Sequence, residues 1–560
     1  MKIGLISVGT FVANGLRSIS SFLRLNGHET IMVFFAKYEL YIQMNYKIFE
    51  KLNIQQDLLK IFKDCDLIGV SCFTFNSYET RHIINLLRPL NIPIVWGGTH
   101  VNLCPEDALK YNDIICLGQG EHALLDFINR IEKNLDIYNT PNFWFKKNGK
   151  IIKNHLRPFI DINDLPAPDY SFKNHYLFDG FKFSKFDPTF HQYIHMYTIF
   201  GCPHNCTFCA TRPLQKLFNN GSTKIHKKST DKIINDLKEI RKTLSHVRYI
   251  LFDDETFSVR TIKELKYFSK QYKKHINLPF TAYISPWTIT PEKMEILIEA
   301  GMSCFEMGIQ TGSEKINREI YRRNYDLDYI IDLVRGIYNK YKNKLNSPPF
   351  YDLLIDNPYE PPEETLKTFY LIRKLPTPCI ICICSLFLYP KTELYKKAHK
   401  DGFIKGIEVT IDRLNNITHK MGIPDFSIRL KQETVNLFGI LSLTNGISDF
   451  GYHGFLSVEL IDEFLNLKTK YLELKVILPI ELEQLIMRTQ IWRGNFLPGM
   501  SKDCVFFLVK GIAFLRQHYH NIKDNTIVAN FSDFEIVQKS ITYIYNSLIK
   551  NYSSCSIQVC

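Results

Sequence analysis

Hydrophobic positions in the first part of the chain follow two alternating rhythms. Residues 3–8, 30–35, 67–72, 92–96 and 114–117 are short unbroken apolar runs, the signature of strands buried on both faces. Between them, residues 56–62 and 78–87 repeat apolar side chains at helical spacing. Strand and helix taking turns predict an α/β domain of the Rossmann-like, flavodoxin type, with helices on both faces of a parallel sheet. Such sheets bind ligands at the carboxyl ends of their strands. Glycines gather at two of those ends, in Gly97-Gly98-Thr99-His100 and Gly118-Gln119-Gly120-Glu121, where they let the backbone turn sharply and approach a ligand closely.

An acidic segment with two prolines, Pro166 and Pro168, follows at 160–170 and reads as a linker, because proline disfavours helix and strand alike. A second alternating series then begins. The apolar run 193–200 leads into Gly201-Cys202-Pro203-His204-Asn205-Cys206-Thr207-Phe208-Cys209. Strand-like runs at 248–252, 280–284, 304–309, 351–355 and 380–388 alternate with helical stretches at 231–244, 291–300, 329–341 and 363–375. Six strand–helix units predict an open, partial (β/α)6 version of the eightfold barrel, with its ligand site at the strand carboxyl ends. Beyond them the apolar pattern is helical and holds no recognisable chemistry. The expected division is 1–140 for the first domain, 141–185 for the linker, 186–410 for the partial barrel and 411–560 for a mainly helical region.

Composition bounds the picture further. At 560 residues the chain exceeds one ordinary core, and 45% hydrophobic with 13% aromatic residues fits packed domains rather than disorder. A formal charge of +12 invites a nucleic-acid reading, yet the lysines are scattered with no dense basic block, so solvated faces are expected instead. No run of eighteen apolar residues exists, so no membrane span is expected. The N-terminus reads as a first strand rather than a signal peptide. The 14 cysteines are mostly dispersed in apolar runs, as in a reduced cytoplasmic protein.

Three of those cysteines stand apart. Cys202, Cys206 and Cys209 on one short loop can hold three irons of a four-iron cluster and leave the fourth open to a small molecule. Alone, the triplet also suits zinc completed by His204 or His226. Cys379, Cys382 and Cys384 lie on an apolar strand whose alternation sends Cys379 to the opposite face, so they read as buried small hydrophobes. Cys555 and Cys560 lie in a polar tail and read as free thiols.

The C-x3-C-x2-C loop, with Phe208 before its last cysteine, resembles the cluster loop of radical S-adenosylmethionine enzymes. The first domain resembles the cobalamin-binding domain of one large class of them, the class B methyltransferase-like enzymes. That similarity rests on Ser71-Cys72-Phe73-Thr74 after the third strand and on the glycine turns after the fourth and fifth. It implies cobalamin contacts at Ser71, Thr74, Gly97, Gly98, Gly118, Gly120 and Glu121. The axial histidine of many cobalamin proteins is missing from Val8-Gly9-Thr10-Phe11-Val12-Ala13-Asn14, and His100 is not assigned to cobalt. In the second domain, Asp253-Asp254-Glu255 is similar to the amine-binding element, and Gly308-Ile309-Gln310-Thr311-Gly312-Ser313 to the element near ribose and carboxylate. Asp356-Asn357-Pro358 and Tyr389-Pro390-Lys391-Thr392 resemble two further turns, the last with Lys391 in place of glycine. The resemblance thus implies contacts to S-adenosylmethionine from Phe208, Asp253, Asp254, Glu255, Gln310, Thr311 and Ser313.

As expectations, these imply a [4Fe-4S] cluster, S-adenosylmethionine, cobalamin, and an electron donor such as flavodoxin or ferredoxin. The expected reaction is methyl transfer to an unactivated carbon or phosphorus of a small-molecule or peptide substrate. Two alternatives stand beside it. One is a radical rearrangement or cyclisation with or without cobalamin; the other is a metal-containing binding or scaffold protein. A tRNA methylthiotransferase is disfavoured, since neither that family's N-terminal three-cysteine domain nor its RNA-binding barrel is matched.

Overall fold

The computed structural model describes residues 1–35, 54–180, 182–191, 193–346 and 349–355, and most positions from 357 to 404. Two compact units emerge. The first comprises Met1–Ser303, Tyr321–Arg323 and the segment from Phe387; the second comprises Cys304–Ile320 and Asn324–Leu386.

At the centre of the first sheet, β1 (Lys2–Val8) runs parallel to β2 (Glu29–Phe35) on one side and to β3 (Leu67–Cys72) on the other. β4 (Ile94–Gly97) and β5 (Ile114–Cys116) continue beyond β3, also parallel. The resulting order, 5-4-3-1-2, is the flavodoxin-like one. Period-two alternation divides each strand between two cores. Ile6, Val8, Val33, Phe35, Ile68 and Val70 enter one face, and Ile3, Leu5, Met32, Phe34 and Leu67 the other. Burial on both faces is why these strands read as unbroken apolar runs.

The linker expected at 141–185 is corrected. β6 (Phe143–Lys147) and β7 (Lys150–Lys153) add antiparallel strands beyond β5. β8 (His175–Phe178) pairs in parallel with β2, and β9 (Phe183–Lys185) turns back against it, so the sheet has nine strands. The longest part of 141–185 outside helix and strand lies between Lys153 and His175, where Pro166 and Pro168 disfavour both. It is not loose. Asp169 accepts from Ser20 Oγ at 2.6 Å and Arg24 Nη1 at 3.2 Å, while its carbonyl takes a 2.7 Å bond from Arg17 Nη1. Burial alone would raise the Asp169 carboxyl. The bond and charge of His175, with bonds from Ser171 and Ser20, outweigh it and hold the group well below the usual carboxylate range.

The expected strand at 193–200 is also corrected, because it breaks in two. β10 (Ile194–Met196) joins a parallel sheet, while β11 (Ile199–Phe200) peels away to pair antiparallel with β12 (His226–Lys227). β13 (Ile250–Phe252) lies beside β10, and β14 (Phe280–Ile284) beside β13, both parallel. Phe252, Phe257, Phe268, Tyr272 and Phe280 form the aromatic layer between these strands and helix Ile262–His275. The helix expected at 291–300 is found with those bounds. Thr290 caps it through a bond from Lys293 N, Pro291 opens it, and Gly301 ends it at φ +114°.

Most of β15 (Met302–Gln310), with β16 (Phe350–Ile355) and β17 (Ile380–Ser385), belongs to the second unit. These strands are parallel, with a bulge in β15 between Gly308 and Gln310. Cys379 is buried, in keeping with its apolar reading. The side chains of Cys382 and Cys384 lie outside the described residues, as do Asp356, the expected helical region 411–560, and Cys555 and Cys560. Among the described residues, no helix is long and apolar enough to cross a membrane.

Candidate functional site

The cysteine loop starts where β11 ends, and its first residue dictates its path. Gly201 has φ +97°, and a Cβ there would stand 2.6 Å from the Gln215 side-chain nitrogen, so only glycine fits. Gln215 is itself fixed by bonds to the carbonyls of Thr223 and Lys224. Arg212 holds the outer turn through the carbonyls of Pro203 and His204. Cys202, Cys206 and Cys209 are all free thiols. Burial, with the neighbouring thiols adding to it, pushes Cys202 up to about 12; burial also raises Cys209. Such protonated soft donors need a metal to displace their protons.

The donor set suits a cluster better than a single ion. Among the described residues, no three His, Cys, Asp or Glu side chains converge on one ion. The two histidines of the zinc alternative are engaged elsewhere. His204 Nε2 bonds Ser285 Oγ at 2.7 Å, and His226 Nε2 bonds Asn219 Oδ1 at 2.7 Å while its ring stacks on Phe159. Three thiols on one loop are the set that can hold three irons of a four-iron cluster and leave the fourth open.

The three consecutive acids after β13 have separate fates. Asp254 is buried and accepts from Thr198 N at 2.6 Å, Ile199 N at 2.7 Å and Thr198 Oγ1, with Arg260 Nη1 at 3.6 Å. It pins the point where β11 leaves β10, with three hydrogen bonds already spent on that turn. Asp253 meets His195 Nδ1 at 2.8 Å. Glu255 makes no such bond and is exposed, yet desolvation by the surrounding protein, with Asp254 adding to it, pushes its carboxyl up to about 7. Its charge also bears on Cys202 and Cys209. Tyr197, 47% exposed, feels the same three acids. Phe208 meets Tyr321 edge-on at 4.9 Å.

In the second unit, two of the three predicted contacts are consumed internally. Thr311 Oγ1 donates to Glu360 at 2.7 Å, and Ser313 Oγ donates to Glu364; both residues are fully buried. Gln310 stays half-buried at φ +77°, its amide folded over Gly308.

At the carboxyl ends of β1 and β3, where the order of the first sheet reverses, a group of buried polar side chains is left unsatisfied. Asn14, Thr74, Asn76 and Ser77 bury side-chain N and O atoms that make no hydrogen bond. Native proteins rarely bury such atoms without a water, ion or ligand to meet them, and a polar ligand at this switch point would supply the partners. Thr74 was predicted from the sequence. Asn14, Asn76 and Ser77 were missed, though each follows a buried strand in an otherwise apolar stretch. A Cβ on Gly98, whose φ is +91°, would stand 2.7 Å from Ser71 Oγ and 2.8 Å from the Cys72 carbonyl, whereas one on Gly97 would meet nothing closer than 3.6 Å. Gly120 and Glu121 serve another contact. A Cβ on Gly120 would stand 2.6 Å from Ile19, and Glu121 accepts from Ser18 Oγ at 2.7 Å, so both hold helix Asn14–Leu25. Gly118, at φ +75°, donates its N–H to Asn102 and fits against Asn142. His100 is buried, 3.2 Å from Asp107 and against Trp96.

Residues 2–128 match the B12 binding domain, and residues 196–369 match the radical SAM superfamily. The chain is 23% identical over 329 residues to an uncharacterised methyltransferase of Pyrococcus horikoshii, covering 57% of this chain and 67% of that one. It is 20% identical over 314 residues to the cytidylyl-2-hydroxyethylphosphonate methyltransferase of Streptomyces wedmorensis, covering 50% of this chain and only 57% of that relative. The fold resembles that of the radical S-adenosylmethionine methyltransferase TsrM from Kitasatospora setae, solved with cobalamin and a [4Fe-4S] cluster. That match has a TM-score of 0.57 at 15% identity and covers 71% of this chain and 78% of the other.

Proposed function

Because the chain joins a B12 binding domain to a radical SAM domain and belongs to the cobalamin-binding radical S-adenosylmethionine enzymes, we propose that it transfers a methyl group to an unactivated carbon, or to phosphorus, of a small-molecule or peptide substrate. Its cofactors are a [4Fe-4S] cluster, S-adenosylmethionine and cobalamin. Bound together, they would supply one-electron cleavage of a carbon–sulfur bond and a transferable methyl group.

One observation supports this reading above the others. A single compact unit contains both the three-thiol loop and the unsatisfied buried polar side chains at the switch point of the first sheet. Cys202, Cys206 and Cys209 would hold the cluster, with Phe208 closing its side. Glu255, the acid of the trio with no internal partner, would accept the ammonium of S-adenosylmethionine, a charge-assisted contact. Gln310 is the accessible candidate of the second unit. Thr74, Asn76, Ser77 and Asn14 would meet the polar groups of cobalamin, while Ser71, Gly97 and Gly98 shape the neighbouring strand ends. Gly118, Gly120 and Glu121 would set the adjoining turn. The one-electron donor would be a flavodoxin or ferredoxin.

The test is an anaerobic preparation reconstituted with iron, sulfide and hydroxocobalamin. Near four irons and one cobalt per chain, with 5′-deoxyadenosine formed from S-adenosylmethionine under reductant, is the expected result. Cys206→Ala should lose the cluster and all deoxyadenosine. Zinc in place of iron, or full turnover by Cys206→Ala, would overturn the assignment.

A further inference from the structure

Arg323 lies outside the sequence elements expected to contact the cofactors, yet it reaches the cysteine loop. Its Nη1 donates to Cys206 Sγ at 3.4 Å. Arg323 is 7% exposed, and its guanidinium lies over Trp287, 5.1 Å from the ring centre. Trp287 packs on His204 at 4.4 Å, and His204 is tied to Ser285. The backbone around Arg323 is fixed to the same loop. Thr207 N donates to Tyr321 O at 3.2 Å, Tyr321 meets Phe208 edge-on, and Arg322 pairs with Glu393. The other guanidinium at the loop, Arg212, directs its bonds to backbone carbonyls and Gln215, so it shapes the loop without serving a sulfur.

A fixed cation beside one cluster sulfur acts in two ways. Its N–H···S bond draws charge from the thiolate, and its positive charge favours the state holding one more electron. Both raise the reduction potential. We propose that Arg323 is the positioning residue that sets the reduction potential of the cluster held by Cys202, Cys206 and Cys209. The step concerned is addition of one electron from an external one-electron donor, with no bond formed or broken. This inference rests on the cluster reading above.

The test is a potentiometric titration of the full chain, reconstituted with iron and sulfide and kept free of S-adenosylmethionine, following the electron paramagnetic resonance signal of the reduced cluster. Arg323→Met should shift the one-electron equilibrium about tenfold toward the oxidised state, a fall of about 59 mV. Arg323→Lys, which keeps the charge without the planar fork, should fall part of the way. Trp287→Leu, which removes the ring under the guanidinium, should move the midpoint in the same direction. An unchanged midpoint in Arg323→Met with full iron content would overturn the proposal. If Arg323→Met loses iron, wild-type midpoints in both Arg323→Lys and Trp287→Leu would overturn it equally. Absence of a four-iron cluster from the wild-type chain would appear in the iron and sulfide counts and would overturn the cluster reading along with it.

Discussion

Asp253, Asp254 and Glu255 are interchangeable on paper, three acids in a row after an apolar strand, and their surroundings give them different chemistry. Asp254 is spent on the Thr198–Ile199 backbone, and Asp253 faces His195. Glu255 keeps an open carboxyl, pushed up to about 7 mainly by desolvation. The sign of its effect follows. Below that value the group is neutral, and above it the group is a carboxylate. An ammonium ligand prefers the carboxylate, so binding of S-adenosylmethionine should tighten as pH rises from 6 to 8 and then level off. About a tenth of the group is ionised at pH 6, which bounds the loss of affinity there at about tenfold, with solvent screening reducing it further. Equilibrium dialysis on the cluster-loaded protein measures this. In Glu255→Gln the slope should vanish, and a slope that survives the substitution would belong to another group. Nothing in the order Asp-Asp-Glu distinguishes these roles, because each depends on neighbours brought in by other strands.

Among the elements, those with internally complete signals were legible. β3, β14 and helix Pro291–Ala300 have the expected bounds, because an apolar run or a Thr290 cap with a Gly301 stop is contained in the segment itself. The run 193–200 misled for the converse reason. It is apolar throughout, but Asp254, more than fifty residues on, takes hold of Thr198 and Ile199 and bends the chain out of the sheet. β6 to β9 fall inside the stretch read as a linker because strands of only three to five residues carry little periodic signal. Asp254→Ala should therefore be costly. It strands three donors and leaves the Arg260 guanidinium, 3% exposed, without its carboxylate, at about 3–5 kcal/mol. Denaturant unfolding of Asp254→Ala beside Asp254→Ala/Arg260→Met gives the check: the double variant should recover part of the loss. Additive losses would mean the two residues are not coupled.

For the molecule as a whole, the unsatisfied buried polar side chains at the ends of β1 and β3 predict that stability depends on the cofactor. Hydroxocobalamin at a hundredfold excess over its dissociation constant should stabilise the folded chain by about 2.7 kcal/mol, read as a rise in unfolding temperature. Asn76→Ala should behave unusually. Its buried amide makes no bond in the cofactor-free fold, so removing it should cost less than about 1 kcal/mol there, while the stabilisation by hydroxocobalamin shrinks. Equal stabilisation of both proteins would remove Asn76 from the site. The chain order by itself determined the alternating α/β plan, the three-thiol loop and the glycine turns, because an apolar run, a cysteine spacing and a turn are written in contiguous residues. Tertiary structure alone decided which polar groups are spent and which remain open. Thr311 and Ser313 are consumed by the Glu360 and Glu364 side chains, Gly120 makes room for Ile19, and Arg323 meets Cys206 across 117 residues. Those partners are joined through space by sheet order and helix packing, and no local pattern encodes a distance between residues that far apart in the chain.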